Sequence, residues 1–415
     1  MKKVISFLLS CIILLTFALP AFAEEAAVEI ENYEDLLEIA ENPSGSYILT
    51  KDIDCAGNVW TPVDFTGTFD GNDFAIMNAK IEAVSKEVRT TIDGNWKQYD
   101  TYFSGFFGTL EKATVKNVTF LGIDVDVTNN DNTYVGTIAG YIADSKIENC
   151  TVSGKASLTS ACKSFGVGGI IGYGNGQVDK CTADVTLICV DTDKENRDEQ
   201  FLGGAYANGY PDITNCTINI AGYTSDHGYV HDGGIGGMYI LPGGVKYKGH
   251  VDNNTVTGFI SFFEDNTNRR AYCVGDIGEI MSWTLTKDGN DIKGFERKET
   301  KDYSKDLYPD MCATKDYDTV VTEPTDGEYG YTTYTCKECG YSYKADYTSL
   351  NVYVEPEETT EAPQETATKN KDENVRLNIV PIAIMVAVVL VGLIAVAVIL
   401  NKRKKSRYVP KRGRK

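Results

Sequence analysis

The chain has 415 residues, 11 cysteines and a formal net charge of −19. Both of its ends are basic, so the stretch between them is more acidic still, and that field excludes nucleic acid or another polyanion as a partner of the bulk of the chain. Cationic groups, divalent ions or plain solubility are the readings of the acidity that stay open.

The N-terminus has the three parts of a secretory signal: Met1-Lys2-Lys3 is positive, Val4 to Leu19 is almost wholly apolar, and Ala21-Phe22-Ala23 supplies small residues for cleavage. Residues 1–23, with Cys11, are therefore set apart as a signal peptide, the alternative being an uncleaved anchor. Next, Asn32 to Ala40 predicts a helix. Asn32 suits its N-cap, Glu34 and Asp35 its first turn, and Tyr33, Leu36, Leu37 and Ala40 one apolar face. Strands are expected around Tyr47 to Ile53 and Gly67 to Ile76, the second broken by the turn residues Asp70-Gly71-Asn72.

An internal repeat follows. One element recurs as Gly105-Phe106-Phe107-Gly108, Val135-Gly136-Thr137-Ile138-Ala139-Gly140, Val167-Gly168-Gly169-Ile170-Ile171-Gly172, Leu202-Gly203-Gly204-Ala205 and Asp232-Gly233-Gly234-Ile235-Gly236-Gly237, and more weakly at Val274 to Gly278. Behind the first five stands a second: Val115 to Phe120, Ile147-Glu148-Asn149-Cys150-Thr151-Val152, Val178 to Ala183, Ile213-Thr214-Asn215-Cys216-Thr217-Ile218, and Val251 to Val256. The period is about 30 to 40 residues, within the range of repeat architectures. Alternating apolar positions and frequent glycines make the segments strands, and such short units bury an apolar face only by stacking on one another. Glycine is expected to supply sharp corners and positive φ. The expected fold is all-β: a right-handed parallel β-helix, or solenoid, closed at its N-terminal end by the helix as a lid. A propeller is the competing repeat fold.

These residues carry a resemblance. Tyr47-Ile48-Leu49-Thr50-Lys51-Asp52-Ile53-Asp54, Trp60-Thr61-Pro62-Val63 and Phe65-Thr66-Gly67-Thr68-Phe69-Asp70-Gly71-Asn72, then Gly105-Phe106-Phe107-Gly108 and the Val-Gly-Gly repeats, resemble the opening and body of GLUG-repeat β-helix proteins. Such repeats occur on the surfaces of Firmicutes and related bacteria and in non-catalytic parts of immunoglobulin-A1-cleaving metallopeptidases. The match runs from about Val28 to Ile280. Asp73 stands where that family usually has glycine, and the late units lengthen and blur.

Cys150, Cys181 and Cys216 share one slot in successive units, with Val118 and Asn254 in the flanking ones, and so read as a ladder of buried thiols, with metal or disulfide roles as the alternatives. His227 and His231 lie four apart but lack the glutamate of a zinc-peptidase motif; a solvent-facing loop is expected for them, and His250 completes the histidines. Asp191, Asp193, Glu195, Asp198 and Glu199 crowd one insertion without defining a catalytic pair.

Beyond Asp302 the composition changes. Gly330 to Tyr343 alternates like a hairpin and resembles small Cys/His modules appended to clostridial surface proteins. Cys336 and Cys339 have metal-ligand spacing and Cys312 would add a third thiolate for a structural zinc. No fourth ligand is evident, for Lys315 and Asp326 stand near where the resembling modules carry His and Cys; a degenerate hairpin without metal is the preferred reading. Residues 354–376 read as a disordered acidic linker. The run from Ile379 to Leu400 carries no charge and as a helix is about 33 Å long, enough to span a bilayer. Basic residues from Lys402 onward place the tail in the cytoplasm.

The expected organisation is thus a signal peptide (1–23), a β-helix domain with its helix (24–300), a small β module (301–353), the linker (354–376), one transmembrane helix (377–400) and a basic tail (401–415). The expected function is a non-enzymatic, single-pass plasma-membrane protein whose extracellular domain binds a glycan or protein ligand, with no cofactor, a structural zinc at the C-terminal thiols being the alternative. A membrane-tethered polysaccharide lyase or glycoside hydrolase and a purely structural scaffold are the alternatives.

Overall fold

A computed structural model describes residues 26–85, 88–91, 98–192, 199–224, 229–240, 248–263, 270–271, 277–281, 285–300, 316–338 and 340–350. All of these belong to one compact unit, Met1–Tyr353. The signal peptide, linker, apolar segment 377–400 and tail lie outside the described residues, among which no helix is long and apolar enough to cross a membrane.

The described residues are all-β with one helix, built from three stacked sheets whose strands run parallel. One unit shows the plan: Ala139–Glu148 enters the first sheet, Thr151–Ser160 the second and Ser164–Gly168 the third. The next unit repeats it with Ile171–Asp179, Thr182–Asp191 and Glu199–Gly203, and each strand pairs in parallel with its equivalent. This arrangement is consistent with a parallel β-helix. The one antiparallel addition to the three sheets among the described residues is Val88–Thr91 against Gln98–Ser104.

In-register pairing turns the repeat into columns. Val115, Ile147, Val178, Ile213 and Val251 align in the first sheet; Phe120, Val152, Ala183, Ile218 and Val256 align in the second. Both columns are buried in one continuous core. The opening motifs join it through aromatic contacts: the Trp60 ring stacks on Phe106 at 4.5 Å and its Nε1–H donates to the Phe106 carbonyl at 2.7 Å. Full burial of such a side chain contributes about 2 to 3 kcal/mol.

The helix spans Tyr33–Glu41 with Asn32 as N-cap, its side chain accepting the Asp35 N–H at 3.1 Å. Its buried face differs from the expected one. Leu36 and Ile39 are buried with Tyr33 packed beside them, whereas Leu37 is 48% exposed and Ala40 faces outward. A three-residue spacing along 33, 36 and 39 proves to be the stripe that meets the first strands.

The corners also differ from expectation. Positive φ at the corner between the first two sheets is carried by side chains other than glycine: Asn117 (52°), Asn149 (52°), Lys180 (54°), Asn215 (56°) and Asn253 (59°). Asparagine tolerates this region, and its amides bond along the stack, Asn149 Nδ2 donating to Asn117 Oδ1 at 2.9 Å and Asn117 Nδ2 to Asp70 Oδ1 at 3.0 Å. Asp73, where the resembling family has glycine, adopts a φ of 66°. Repeat glycines such as Gly168 and Gly203 serve a different need. A Cβ on Gly203 would overlap the carbonyl oxygen of Tyr206 in its own turn and crowd Gly236 of the next unit.

The cysteine ladder is as read: Cys150, Cys181 and Cys216 are buried free thiols, and the Cys150 and Cys216 thiols contact the Glu148 and Thr214 carbonyls at 3.2 Å. Hydrogen bonding between neighbouring thiols, together with burial, holds Cys181 and Cys216 well above the usual thiol range, so they are poor nucleophiles. Asn254 occupies the same slot satisfied on both sides, accepting the Cys216 N–H and donating to the Ile213 carbonyl, each at 2.9 Å.

Tyr317–Thr322, Gly330–Cys336 and Ser342–Thr348 form a separate antiparallel sheet, of which the expected hairpin is part. It packs on the outer side of the second sheet. Tyr347 buries its ring with Ala75, Met77 and Leu121, and Asn78 bonds both its backbone groups, at 2.8 and 2.9 Å. Gly122, with a φ of 63°, leaves room for that ring.

Gly203→Ala is expected to lower the unfolding free energy by about 3 kcal/mol in urea denaturation. Asn149→Gly, which keeps the positive φ open, is expected to change it by less than about 1 kcal/mol.

Candidate functional site

The first sheet is creased. In successive units the chain steps through positive φ at Lys112 (54°), Asp144 (49°), Gly174 (128°) and Gly209 (123°), and the pairing between Ala139–Glu148 and Ile171–Asp179 shifts register between Ala143 and Ser145. The fold opens a groove of about 550 Å³ on the outer face, lined by Lys112, Asp144, Lys146, Asn175, Gln177 and Tyr210 among others. Its floor is fixed by the Ser145 hydroxyl: the Ala113 N–H donates to Ser145 Oγ at 3.0 Å, and that hydroxyl donates to the Ala143 carbonyl at 2.8 Å.

Beside the crease stands an aromatic ladder. Tyr141 and Tyr173 are register partners, with ring centroids 6.0 Å apart and planes within 13°. They rest on side chains from the third sheet, Tyr141 on Phe103 at 4.9 Å and Tyr173 on Tyr134 at 5.0 Å. The buried Tyr134 hydroxyl is satisfied by Ser164 Oγ at 2.9 Å and by Asn208 Nδ2, which donates to it at 3.2 Å. Burial, with the charges of Glu111 and Asp144 adding to it, pushes the Tyr141 phenol up to about 12, and burial raises Tyr173 and Tyr210 as well. The phenols therefore stay neutral and can donate hydrogen bonds at any physiological pH.

Charges in the groove are mixed and local. Asn175 Nδ2 donates to Asp144 Oδ1 at 3.2 Å, and Lys146 pairs with Glu148. The arrangement offers amide, carboxylate and ammonium groups and the Tyr210 phenol along a half-open channel, which is the make-up of a binding site for a polar ligand. No protein-family model matches the chain, and no curated protein is similar to it.

The residues singled out in the sequence lie elsewhere. Cys336 is buried at a strand end, its N–H donating to the Tyr341 carbonyl at 2.7 Å; Cys312 and Cys339, the other two thiols considered for zinc, lie outside the described residues. Among the described residues, no three His, Cys, Asp or Glu side chains converge as a metal site would require. His250 Nδ1 contacts Asp252 Oδ2 at 3.0 Å and Thr286 Oγ1 at 2.9 Å, holding the end of the first sheet. Of the acidic insertion, Asp191 is buried and Glu199 exposed in strands, and Asp193, Glu195 and Asp198 lie outside the described residues, as does His227.

His231 corrects the expectation of a solvent-facing loop. It sits in the strand Tyr229–Gly233, 4% exposed, its ring stacked on Phe201 at 4.9 Å in the column that holds Phe103 and Tyr134. The sequence signal for the groove was the Gly-Tyr pair, Gly140-Tyr141 and Gly172-Tyr173, at the end of successive repeat elements.

Burial pushes the His231 imidazole down to about 4, below its ordinary 6.5. Its contribution to stability is complete above pH 6.5 and is lost as the pH falls toward 4, by up to about 3 kcal/mol. In urea unfolding across that window, His231→Phe is expected to flatten the pH dependence by this amount.

Proposed function

We propose that the chain is a membrane-anchored cell-surface protein of GLUG-repeat type whose right-handed parallel β-helix binds extracellular glycans. The observation that carries the reading is the creased groove with Asp144, Asn175 and Tyr210 along it and the Tyr141–Tyr173 ladder beside it. A sugar ring combines an apolar C–H face with a rim of hydroxyls, so it needs ring carbons and paired amide or carboxylate acceptors in one place. The Tyr210 ring and the Asn175–Asp144 pair, which line the same groove, meet that need. Attachment to the membrane rests on the sequence, through the signal peptide, the uncharged run from Ile379 to Leu400 and the basic tail.

The fold suits such a role. Groups set on paired strands are held more precisely than groups on free loops, and a preorganised site loses less entropy on binding.

The purified ectodomain, residues 24–353, is expected to be retained by a subset of glycans on an array and to release no reducing ends from them. Asn175→Ala and Tyr210→Ala are each expected to weaken retention about tenfold, a loss of about 1.4 kcal/mol, with the far-ultraviolet spectrum unchanged. Depolymerisation of a retained glycan would replace this reading with that of a glycan-active enzyme.

A further inference from the structure

The groove is built one residue at a time by successive units. Lys112, Asp144, Asn175 and Tyr210 come from four consecutive units, Lys112 and Tyr210 between two strands and Asp144 and Asn175 within one, and the segments just after them pair in parallel: Thr114 with Lys146, Lys146 with Gln177, Gln177 with Asp212. Although the register shift at Asp144 keeps these four from strict equivalence, each unit advances the lining along the stack by the spacing of parallel strands, about 4.8 Å. From the geometry we propose that the ligand is a linear, uncharged polysaccharide lying along the stack, with one sugar unit opposite each of four repeat units. This rests on the glycan-binding reading and adds the ligand's class, direction and length.

Two observations narrow the class. The first is pitch. An extended peptide advances about 3.3 Å per residue and presents like-facing side chains about every 6.6 Å, out of step with the groove at either interval. A hexose in an extended, equatorially linked chain advances nearly one strand spacing, so one sugar falls opposite each unit, and because both faces of the ring carry a hydroxyl rim, the alternating orientation of successive sugars still leaves a polar group toward the lining.

The second is charge. Lys146 is paired with Glu148, and Lys112 and Asp144 are set on neighbouring units with opposite sign. A polyuronate would place a carboxylate opposite Asp144 as well as opposite Lys112, and like charges at close range are repulsive. Uncharged units meet no such conflict, and their hydroxyls can accept from Lys112 and Asn175 and donate to Asp144.

The test is isothermal titration of the ectodomain, residues 24–353, with oligosaccharides of one to six units from four neutral series: β-1,4-glucosyl, β-1,4-N-acetylglucosaminyl, β-1,3-glucosyl and β-1,4-mannosyl. In at least one series affinity should rise with each added unit up to four and then level off. Tyr210→Ala, at one end of the groove, should bring the plateau forward to three units while leaving shorter members bound as before. Equal affinity from disaccharide to hexasaccharide would overturn the axial, four-unit placement and leave glycan binding itself standing. Binding confined to oligogalacturonates or to extended peptides would overturn the ligand class, and binding by no glycan would remove the broader reading too.

Discussion

Each strand of the repeat region obtains its hydrogen bonds from the units before and after it. A short stretch such as Thr182–Asp191 has Thr151–Ser160 on one side and Thr217–Thr224 on the other, each paired in parallel along nearly its full length. Nothing inside a single unit could satisfy those groups, and an unpaired buried backbone group costs free energy comparable to a lost hydrogen bond. Pairing with a neighbour is therefore what makes each unit's apolar residues buried at all. It also demands a finish at the first unit, which the helix Tyr33–Glu41 supplies by placing Leu36 and Ile39 in the core.

Two residue types divide the corner work that this pairing requires. Asparagine, or Lys180 in one unit, takes the left-handed backbone between the first and second sheets and bonds to its neighbours through its amide. Glycine stands where the third sheet turns into the first and where backbone meets backbone too closely for any Cβ. Since the third and first sheets meet there, their outer sides form a recess that Phe103, Tyr134 and Phe201 fill. Tyr141 and Tyr173 pack against that filling and so stand beside the crease. The groove itself lies farther along the first sheet, at the crease that positive φ at Lys112, Asp144, Gly174 and Gly209 makes.

Much of this was legible in the sequence because it depends on period. Cys150, Cys181 and Cys216 fell in one slot by spacing alone, and the slot is buried. Asn32 announced its helix by its capping chemistry. Other features depend on contacts that no local pattern records. The crease arises from positive φ at Lys112, Asp144, Gly174 and Gly209, of which lysine does not advertise it and the others show no common motif. His231 reads as a loop residue because glycines stand three before and two after it, yet its column partners Phe201 and Tyr134 make that position an aromatic one. The C-terminal sheet meets the second sheet through Asn78 and Tyr347, 269 residues apart in sequence.

The most direct measurement of the stacking account is deletion of one whole unit. Removing residues 139–170 joins Ile138 to Ile171, two positions whose backbones already meet the same neighbour plane, since Ile138 N–H bonds to the Ile170 carbonyl and Ala139 pairs with Ile171. The account predicts a shortened protein that keeps its β-sheet spectrum and a single cooperative unfolding transition, whereas removing only residues 139–154 leaves strands facing non-equivalent partners and abolishes folding. If both deletions fold equally well, or both fail, in-register stacking of equivalent units is not what holds this chain together.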